Sequence, residues 1–266
     1  MFSSNQIAGR YLQYLLRASN GKGHGTHSPF VYDFIRHVLN VHIDQSECDG
    51  IELLRKKLRA NTSPVVNVDL GAGSRLDTRE LTLQKIARSA LKPKKYAQLM
   101  YRLAMHFQPA SVVELGTSLG ITTSYLAKGA KDASIDTVEG NPGIADIARK
   151  NFRELGLLNI DVHTGEFGWV LQQLDIKTPG KKYDLVYIDG NHRLAPTLEY
   201  FNYFLAHTHE NSIVVFDDIH WSEEMETAWR QIRSHPAVRC SIDIFFLGFV
   251  FFRPAFKSKQ EFEIRF

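Results

Sequence analysis

Short apolar segments that alternate with stretches of helical periodicity constrain the fold of this chain more than any other feature. From about Ser111 onward each apolar segment is as long as a strand, and each intervening stretch places apolar residues three and four positions apart. The predicted strands are SVVEL, SIDTVE, NIDVHT, DLVYID and SIVVFD, and the predicted helices between them are ITTSYLAKGA, GIADIARKNFREL, WVLQQL and LAPTLEYFNYFLA. This alternation predicts a doubly wound α/β fold with a mostly parallel, Rossmann-like sheet.

The segment after the fifth strand predicts an antiparallel ending to the sheet. A helix near SEEMETAWRQIRS is followed by CSIDIFF and FVFFRP, which we expect to form a hairpin joined through Leu247 and Gly248. The apolar run IDIFFLGFVFF is too short to cross a bilayer as a helix. We therefore interpret it as buried sheet, an ending that is unusual for a dinucleotide-binding fold.

The first part of the chain lacks parallel-strand signals and predicts a helical module. Helical periodicity is present in QIAGRYLQYLLRAS, PFVYDFIRHVLNV, IELLRKKLRA and LTLQKIARSALK. We predict two domains, a helical module over 1–108 and an α/β domain over 109–266. The helical module is expected to form a substrate lid or a homodimer contact.

Charge and cysteine content exclude several classes of protein. The net charge is only +3, which gives no strong basic field of the kind that marks nucleic-acid binders. Cys48 and Cys240 lie far apart without metal-ligand spacing, so they suggest neither a zinc site nor a disulfide framework. The N-terminal segment lacks the apolar stretch of a signal peptide. We expect a cytoplasmic protein without a membrane partner.

A glycine turn follows the first predicted strand. The sequence from Val113 to Gly120 reads VELGTSLG, in which the glycines allow the backbone to approach a ligand closely. A dinucleotide fingerprint requires GxGxxG, whereas Thr117 and Ser118 stand where that pattern would place its second glycine. The turn therefore does not favour pyrophosphate binding.

Glu139 closes the second predicted strand, about twenty residues after the glycine turn. A carboxylate at this position can accept hydrogen bonds from both hydroxyls of a ribose. Taken alone, a glutamate at a strand end is more often solvated. The combination of strand, glycine turn, helix, strand and acid is much less common and predicts an adenosyl ligand.

These residues resemble a known family. VVELGTSLGITTSYLA followed by TVEGNP is similar to the cofactor-binding half of class I S-adenosylmethionine-dependent methyltransferases, and the ExGxxxG form resembles the O-methyltransferase branch. The resemblance covers about residues 109–254. It implies S-adenosyl-L-methionine as cofactor, bound through Glu114, Gly116, Thr117, Ser118, Gly120, Glu139, Gly140, Glu166 and Asp189. Within that set, Glu139 would hold the ribose and the loop containing Glu166 would contact adenine.

Acidic residues end the next two strands, Asp189 in YIDGNH and the pair Asp217 and Asp218 in VVFDDIHW. Three carboxylates on neighbouring strand ends would repel each other unless they are protonated or a hard cation such as Mg²⁺ bridges them. The pattern resembles metal-dependent O-methyltransferases of the catechol and macrolide-sugar type, although Asp218 stands where the catechol branch has Asn. The alternative is that the Asp pair caps the next helix and Asp189 only faces the cofactor.

His192 is the first candidate for a general base, with Asp189 as its catalytic partner. It lies three residues after Asp189, and a neutral imidazole can take a proton from a hydroxyl near pH 7. His220 is the second candidate. Helix capping or packing is the alternative role for either histidine.

Two loops of the helical module carry weaker signals. In VDLGAGSR, Asp69, Gly71 and Gly73 fit a DxGxG cofactor turn, but no second strand or acid follows at the right distance, so we predict a turn or a lid. In GKGHGTHSP, His24 and His27 could bind a metal or a substrate, whereas loop histidines are usually solvated or capping groups.

The function expected from these residues is methyl transfer from S-adenosylmethionine to an oxygen of a small or medium-sized acceptor. One alternative is a non-catalytic adenosyl-binding protein that recognises a partner through its helical module. A nucleic-acid methyltransferase, which we would expect to show a basic face or an Asn/Asp-Pro-Pro-aromatic motif, is disfavoured. The net charge of +3 gives no strong basic field, although it leaves a local basic patch possible, and NPGI is misplaced for that motif because it directly follows Glu139 and Gly140.

Overall fold

The computed structural model describes residues 1–65 and 82–266, and all structural statements below concern those residues. The helices are α1 (Ser4–Arg17), α2 (Pro29–Phe34), α3 (Asp49–Ala60), α4 (Leu83–Ser89), α5 (Lys94–Phe107), α6 (Ile121–Gly129), α7 (Pro142–Glu154), α8 (Phe167–Lys177), α9 (Leu194–Ala206) and α10 (Glu223–Ser234). A π-helical turn (Ile35–Leu39) continues α2, and a 3₁₀ turn (Gln45–Cys48) precedes α3.

The strands form one mixed sheet. They are β1 (Ser111–Leu115), β2 (Ser134–Glu139), β3 (Ile160–Thr164), β4 (Leu185–Ile188), β5 (Ile213–Asp217), β6 (Cys240–Asp243), β7 (Leu247–Phe251) and β8 (Gln260–Glu263). Their order is β3-β2-β1-β4-β5-β7-β6-β8. Strand β2 pairs in parallel with β3, and β4 with β5, whereas β7 is antiparallel to both β5 and β6. This topology confirms the predicted doubly wound fold with an antiparallel ending.

The chain divides into two compact units. The first contains 1–39, 111–113 and 180–266, and the second contains 40–110 and 114–179. The sequence-based division into 1–108 and 109–266 stays a prediction. Among the described helices, none combines the length and the apolar character that crossing a bilayer requires.

Helix α5 in the second unit was not predicted from its sequence. All residues from Ala97 to Ala104 are buried, including the polar side chains of Gln98 and Arg102. Gly129 on α6 allows close approach to α5, since a Cβ there would lie 2.4 Å from the carbonyl oxygen of Tyr101. Tyr125 is fully buried and donates a hydrogen bond of 2.7 Å to Glu52.

The C-terminal hairpin in the first unit turns earlier than predicted. Leu247 and Gly248 belong to β7, and the connection consists of Ile244–Phe246, so the predicted turn position was wrong. Phe245 has a φ of 73°, and its backbone N–H donates to the Asp243 carboxylate at 2.8 Å. A side-chain acceptor at Asp243 thus supports a turn that contains no glycine.

Strand β8 was also missed because its sequence, QEFE, is mostly polar. It pairs in parallel with β6 at the edge of the sheet. Helix α1 also belongs to the first unit, and two contacts hold it there. The Tyr14 hydroxyl donates to the carbonyl oxygen of Ile264, and Tyr11 packs edge-on against Phe245.

Candidate functional site

The glycine turn after β1 has a backbone that its sequence explains. Gly116 and Gly120 have φ values of 107° and 78°, and Ser118 also lies in the left-handed region at 48°. The backbone N–H groups of Gly116 and Thr117 both donate to the carbonyl oxygen of Val138, at 2.9 and 3.1 Å. The turn is therefore fixed to the end of β2. Gly120 begins α6 as its N-cap residue.

Glu139 ends β2 beside this turn. Its Oε2 accepts the backbone N–H of Ser118 at 2.8 Å, and its Oε1 accepts that of Asn141 at 2.9 Å. Burial raises the pKa of Glu139, while the N–H groups of Asn141, Ser118 and Gly140 act in the opposite direction. An ionised carboxylate can accept about four hydrogen bonds, so both oxygens keep acceptor capacity for the hydroxyls of a ribose.

Glu114 lies beneath the turn. It is fully buried, and its Oε2 accepts hydrogen bonds from the hydroxyls of Thr123 and Thr137, at 2.5 and 2.6 Å. The Thr137 hydroxyl also bonds that of Thr117 at 2.7 Å. Glu114 thus connects β1, β2 and α6 from inside, which is a means of holding the turn in place.

The loop after β3 also lies next to the end of β2. The backbone N–H of Gly165 donates to the carbonyl oxygen of Glu139 at 3.0 Å. Glu166 is the N-cap of α8, and its carboxylate accepts the N–H groups of Gly168 and Trp169 at 3.0 and 2.8 Å. The side chain that was expected near adenine therefore holds the first turn of α8.

A second group of side chains follows β4 and β5, within the first unit. The potential ligand atoms of Asp189, His192 and Asp217 all lie within 4.8 Å of one another. His192 Nε2 is 3.6 Å from Asp189 Oδ1, and the Tyr187 hydroxyl donates to Asp189 Oδ2 at 3.0 Å. Asp217 is buried. Two carboxylates and an imidazole are a donor set suited to a divalent cation.

The third member of this group is His192, whereas the sequence predicted Asp218. His192 has a φ of 32°, and Asp218 has a φ of 52°. The Asp218 backbone N–H donates to the carbonyl oxygen of Phe246 at 2.8 Å, and its side chain is not part of the group.

His220, the second candidate for the base, is half-buried between the carboxylates of Asp243 and Glu226. Burial lowers the pKa of His220, but hydrogen bonds to Asp243 and Glu226 outweigh this effect and raise the pKa to about 9. Its Nε2 lies 2.9 Å from Asp243 and its Nδ1 lies 3.0 Å from Glu226. An imidazolium with both nitrogens engaged by carboxylates is a poor proton acceptor near neutral pH, which makes His220 a weaker candidate for the base than His192.

A family model described as a methyltransferase domain matches residues 113–219. This part of the chain is similar to a methyltransferase domain. The matched region contains the glycine turn, Glu139 and the group of Asp189, His192 and Asp217. None of the curated proteins matches the sequence.

Solved structures of methyltransferases share the fold of the chain. An O-methyltransferase from Bacillus cereus in complex with SAH (S-adenosylhomocysteine) has a TM-score of 0.56 and 18% identity, over 84% of this chain and 97% of that one. The O-methyltransferase TomG from Streptomyces achromogenes, involved in tomaymycin synthesis and in complex with SAM, has a TM-score of 0.54 and 17% identity, over 84% and 96%. SAH-bound PaMTH1 from Podospora anserina has a TM-score of 0.55 and 14% identity, over 95% and 98%. The predicted resemblance to class I methyltransferases is confirmed.

Of the two loops with weaker sequence signals, only the one that contains His24 and His27 lies among the described residues. VDLGAGSR lies outside the described residues, so its predicted role as a turn or lid stays a prediction. In the loop that contains His24 and His27, Gly23 and Gly25 adopt positive φ values of 83° and 78°. Among the residues that the structure describes, neither histidine joins a potential metal-binding group.

Proposed function

We propose that this methyltransferase transfers a methyl group from S-adenosylmethionine to an oxygen of a small or medium-sized acceptor. The observation that carries the proposal is Glu139, whose partly exposed carboxylate is held by backbone N–H groups beside the glycine turn. A carboxylate fixed in this way is ready to accept two ribose hydroxyls without further ordering. The O-methyltransferases of Bacillus cereus and Streptomyces achromogenes support oxygen as the acceptor atom.

The residues of the second unit would hold the cofactor from three sides. Glu139 and Gly140 would bind the ribose, and the turn from Gly116 to Gly120 would lie along the methionine part. Glu114 would act from inside by positioning that turn, because its carboxylate already bonds two threonine hydroxyls. S-adenosylmethionine supplies a methyl group on a sulfonium, which leaves as a neutral thioether, so alignment of the acceptor oxygen contributes most of the rate.

Asp189, His192 and Asp217 would bind and deprotonate the acceptor. Their mutual distances fit a divalent cation, which when bound would lower the pKa of an acceptor hydroxyl. Mg²⁺ accords with the two carboxylates, and Mn²⁺ accords with both the carboxylates and the imidazole. Without a cation, His192 would take the acceptor proton itself and Asp189 would stabilise the resulting imidazolium.

We also propose partners and a location for the enzyme. The acceptor is a small molecule rather than a nucleic acid, and the enzyme is cytoplasmic. We propose a homodimer through the N-terminal helices, where Leu12 and Leu16 on α1 are 62% and 85% exposed. Replacement of both leucines by glutamine should then lower the molar mass measured by light scattering.

Two assays test the proposed function. Calorimetry should detect binding of S-adenosylhomocysteine, and a screen of phenols, catechols and sugar hydroxyls with methyl-labelled cofactor should detect a methylated product. Binding without turnover of any acceptor would favour a non-catalytic adenosyl-binding protein. Turnover that survives excess chelator but is lost in His192→Ala would assign His192 as a metal-free base.

A further inference from the structure

The loop that carries His192 has a backbone that its sequence does not favour. Asn191 and His192, which come after β4, have φ values of 62° and 32°, so two neighbouring residues that are not glycine lie in the left-handed region. Both are strained there, although asparagine tolerates this region better than most residues. Such a conformation persists only where the surrounding structure holds it, and strain of this kind clusters at functional sites.

Hydrogen bonds connect this loop to the two helices that pack behind it. The side-chain amide of Asn191 donates to the hydroxyl of Tyr200 at 2.5 Å, and Tyr200 lies in α9 and is 6% exposed. The backbone N–H of Leu194, at the start of α9, donates to the carboxylate of Glu224 on α10 at 3.0 Å. Glu224 is exposed, so Tyr200 is the buried anchor of the loop.

The ring of His192 is held less firmly than the carboxylate of its acidic neighbour. Its Nε2 is 3.6 Å from Asp189 Oδ1, which is longer than a hydrogen bond. Asp189, by contrast, accepts a hydrogen bond from the Tyr187 hydroxyl at 3.0 Å. The position of the imidazole therefore depends on the backbone of the loop more than on a bond to the ring itself.

We infer that Tyr200 is a positioning residue for His192 and acts through Asn191. The inference rests on the proposed function, in which His192 binds or deprotonates the acceptor. The hydrogen bond to Tyr200 keeps Asn191 left-handed, and this conformation sets the direction of the next residue, whose imidazole meets Asp189 and Asp217. Such a residue affects the rate without contacting the acceptor, because a displacement of about 1 Å at a reacting group can lower the rate by about 100-fold.

Turnover by three variants of the full-length enzyme tests the inference. Tyr200→Phe and Asn191→Ala each remove the hydrogen bond, and Tyr203→Phe is the matched control on α9, because the Tyr203 ring stacks on His207. We expect kcat to fall by about 3- to 100-fold in Tyr200→Phe and in Asn191→Ala, while KM for the cofactor stays within about twofold of the parent. The control should keep the kcat of the parent.

The double variant tests whether Tyr200 acts through Asn191. Tyr200→Phe and Asn191→Ala remove the same bond, so together they should lower kcat no more than the more harmful single change does. Losses that multiply in the double variant would show two separate roles and would overturn the inference.

The nuclear magnetic resonance signal of the His192 ring supplies a measurement that does not depend on turnover. In protein with isotope-labelled histidine, this signal is assigned by its loss in His192→Ala. It should shift in Tyr200→Phe and in Asn191→Ala and stay in place in Tyr203→Phe. An unshifted signal or an unchanged kcat in Tyr200→Phe, in a parent that methylates an acceptor, would overturn the inference and leave the proposed function standing. A parent that methylates no acceptor would overturn both.

Discussion

Gly120 in the glycine turn after β1 leaves no room for a side chain, and Gly120→Ala should destabilise the protein strongly. Two costs add. The φ of 78° is strained for alanine, which costs about 1–2 kcal/mol. The new Cβ would also lie 2.5 Å from two ring carbons of Phe152, an overlap of the kind that costs about 1–3 kcal/mol in a packed core. We expect a total loss of about 2–5 kcal/mol in the free energy of unfolding.

The control isolates the steric part of that cost. Gly156 follows α7, has a φ of 68°, and has no atom within 4 Å of a Cβ built on it. Gly156→Ala should therefore lose only about 1–2 kcal/mol from backbone strain. Urea denaturation followed by circular dichroism measures both variants.

A second substitution tests the contact with Phe152 itself. Phe152→Leu in the Gly120→Ala background shortens the ring that meets the new methyl group, so the two changes should couple by at least about 0.5 kcal/mol in a double-mutant cycle. Equal destabilisation by Gly120→Ala and Gly156→Ala, together with no coupling to Phe152, would refute the reasoning from close approach.

Two further predictions concern the first unit. The folded pKa of His220, raised to about 9, exceeds its usual value of 6.5, so its stabilisation is complete below pH 6.5 and is lost as the pH rises through 9. The free energies of unfolding of His220→Gln and the parent, measured by denaturation, should therefore differ by on the order of 2–3 kcal/mol at pH 6 and by much less at pH 10. A difference independent of pH would contradict the charged state of His220. Chelation should abolish methyl transfer while leaving the affinity for S-adenosylhomocysteine nearly intact, Mn²⁺ or Mg²⁺ should restore activity, and Asp217→Asn should mimic chelation. Full activity of Asp217→Asn would count against a cation at Asp189, His192 and Asp217.

Much of the sheet could be predicted from sequence because its central strands β1, β4 and β5 are mostly apolar and buried. The alternation of strands and helices after Ser111 identified β1 to β5, and the prediction for α9, LAPTLEYFNYFLA, matches its bounds of Leu194–Ala206. Strand β8 was harder, because it is a mostly polar edge strand without the apolar alternation on which strand prediction depends. Helix α5 was missed although Lys94, Gln98 and Arg102 recur at helical spacing.

The arrangement of the acidic group could be predicted only in part. Strand order alone indicated that Asp189 and Asp217 would meet, since both end neighbouring parallel strands. Sequence could not indicate that Asp218 and His192 have left-handed backbones, because neither is a glycine. In the structure, His192 joins the group of Asp189 and Asp217, and the side chain of Asp218 does not.

The central claim is that Glu139 holds the ribose of S-adenosylmethionine. Titration calorimetry of S-adenosylhomocysteine into the parent, Glu139→Gln and Asp161→Ala tests it most directly, because Asp161 is an exposed acid on the neighbouring strand β3. Loss of a charged acceptor should weaken binding by about 10- to 100-fold in Glu139→Gln, whereas Asp161→Ala should bind like the parent, and NAD should not compete. Equal affinity of Glu139→Gln and the parent, with both proteins folded, would contradict the account.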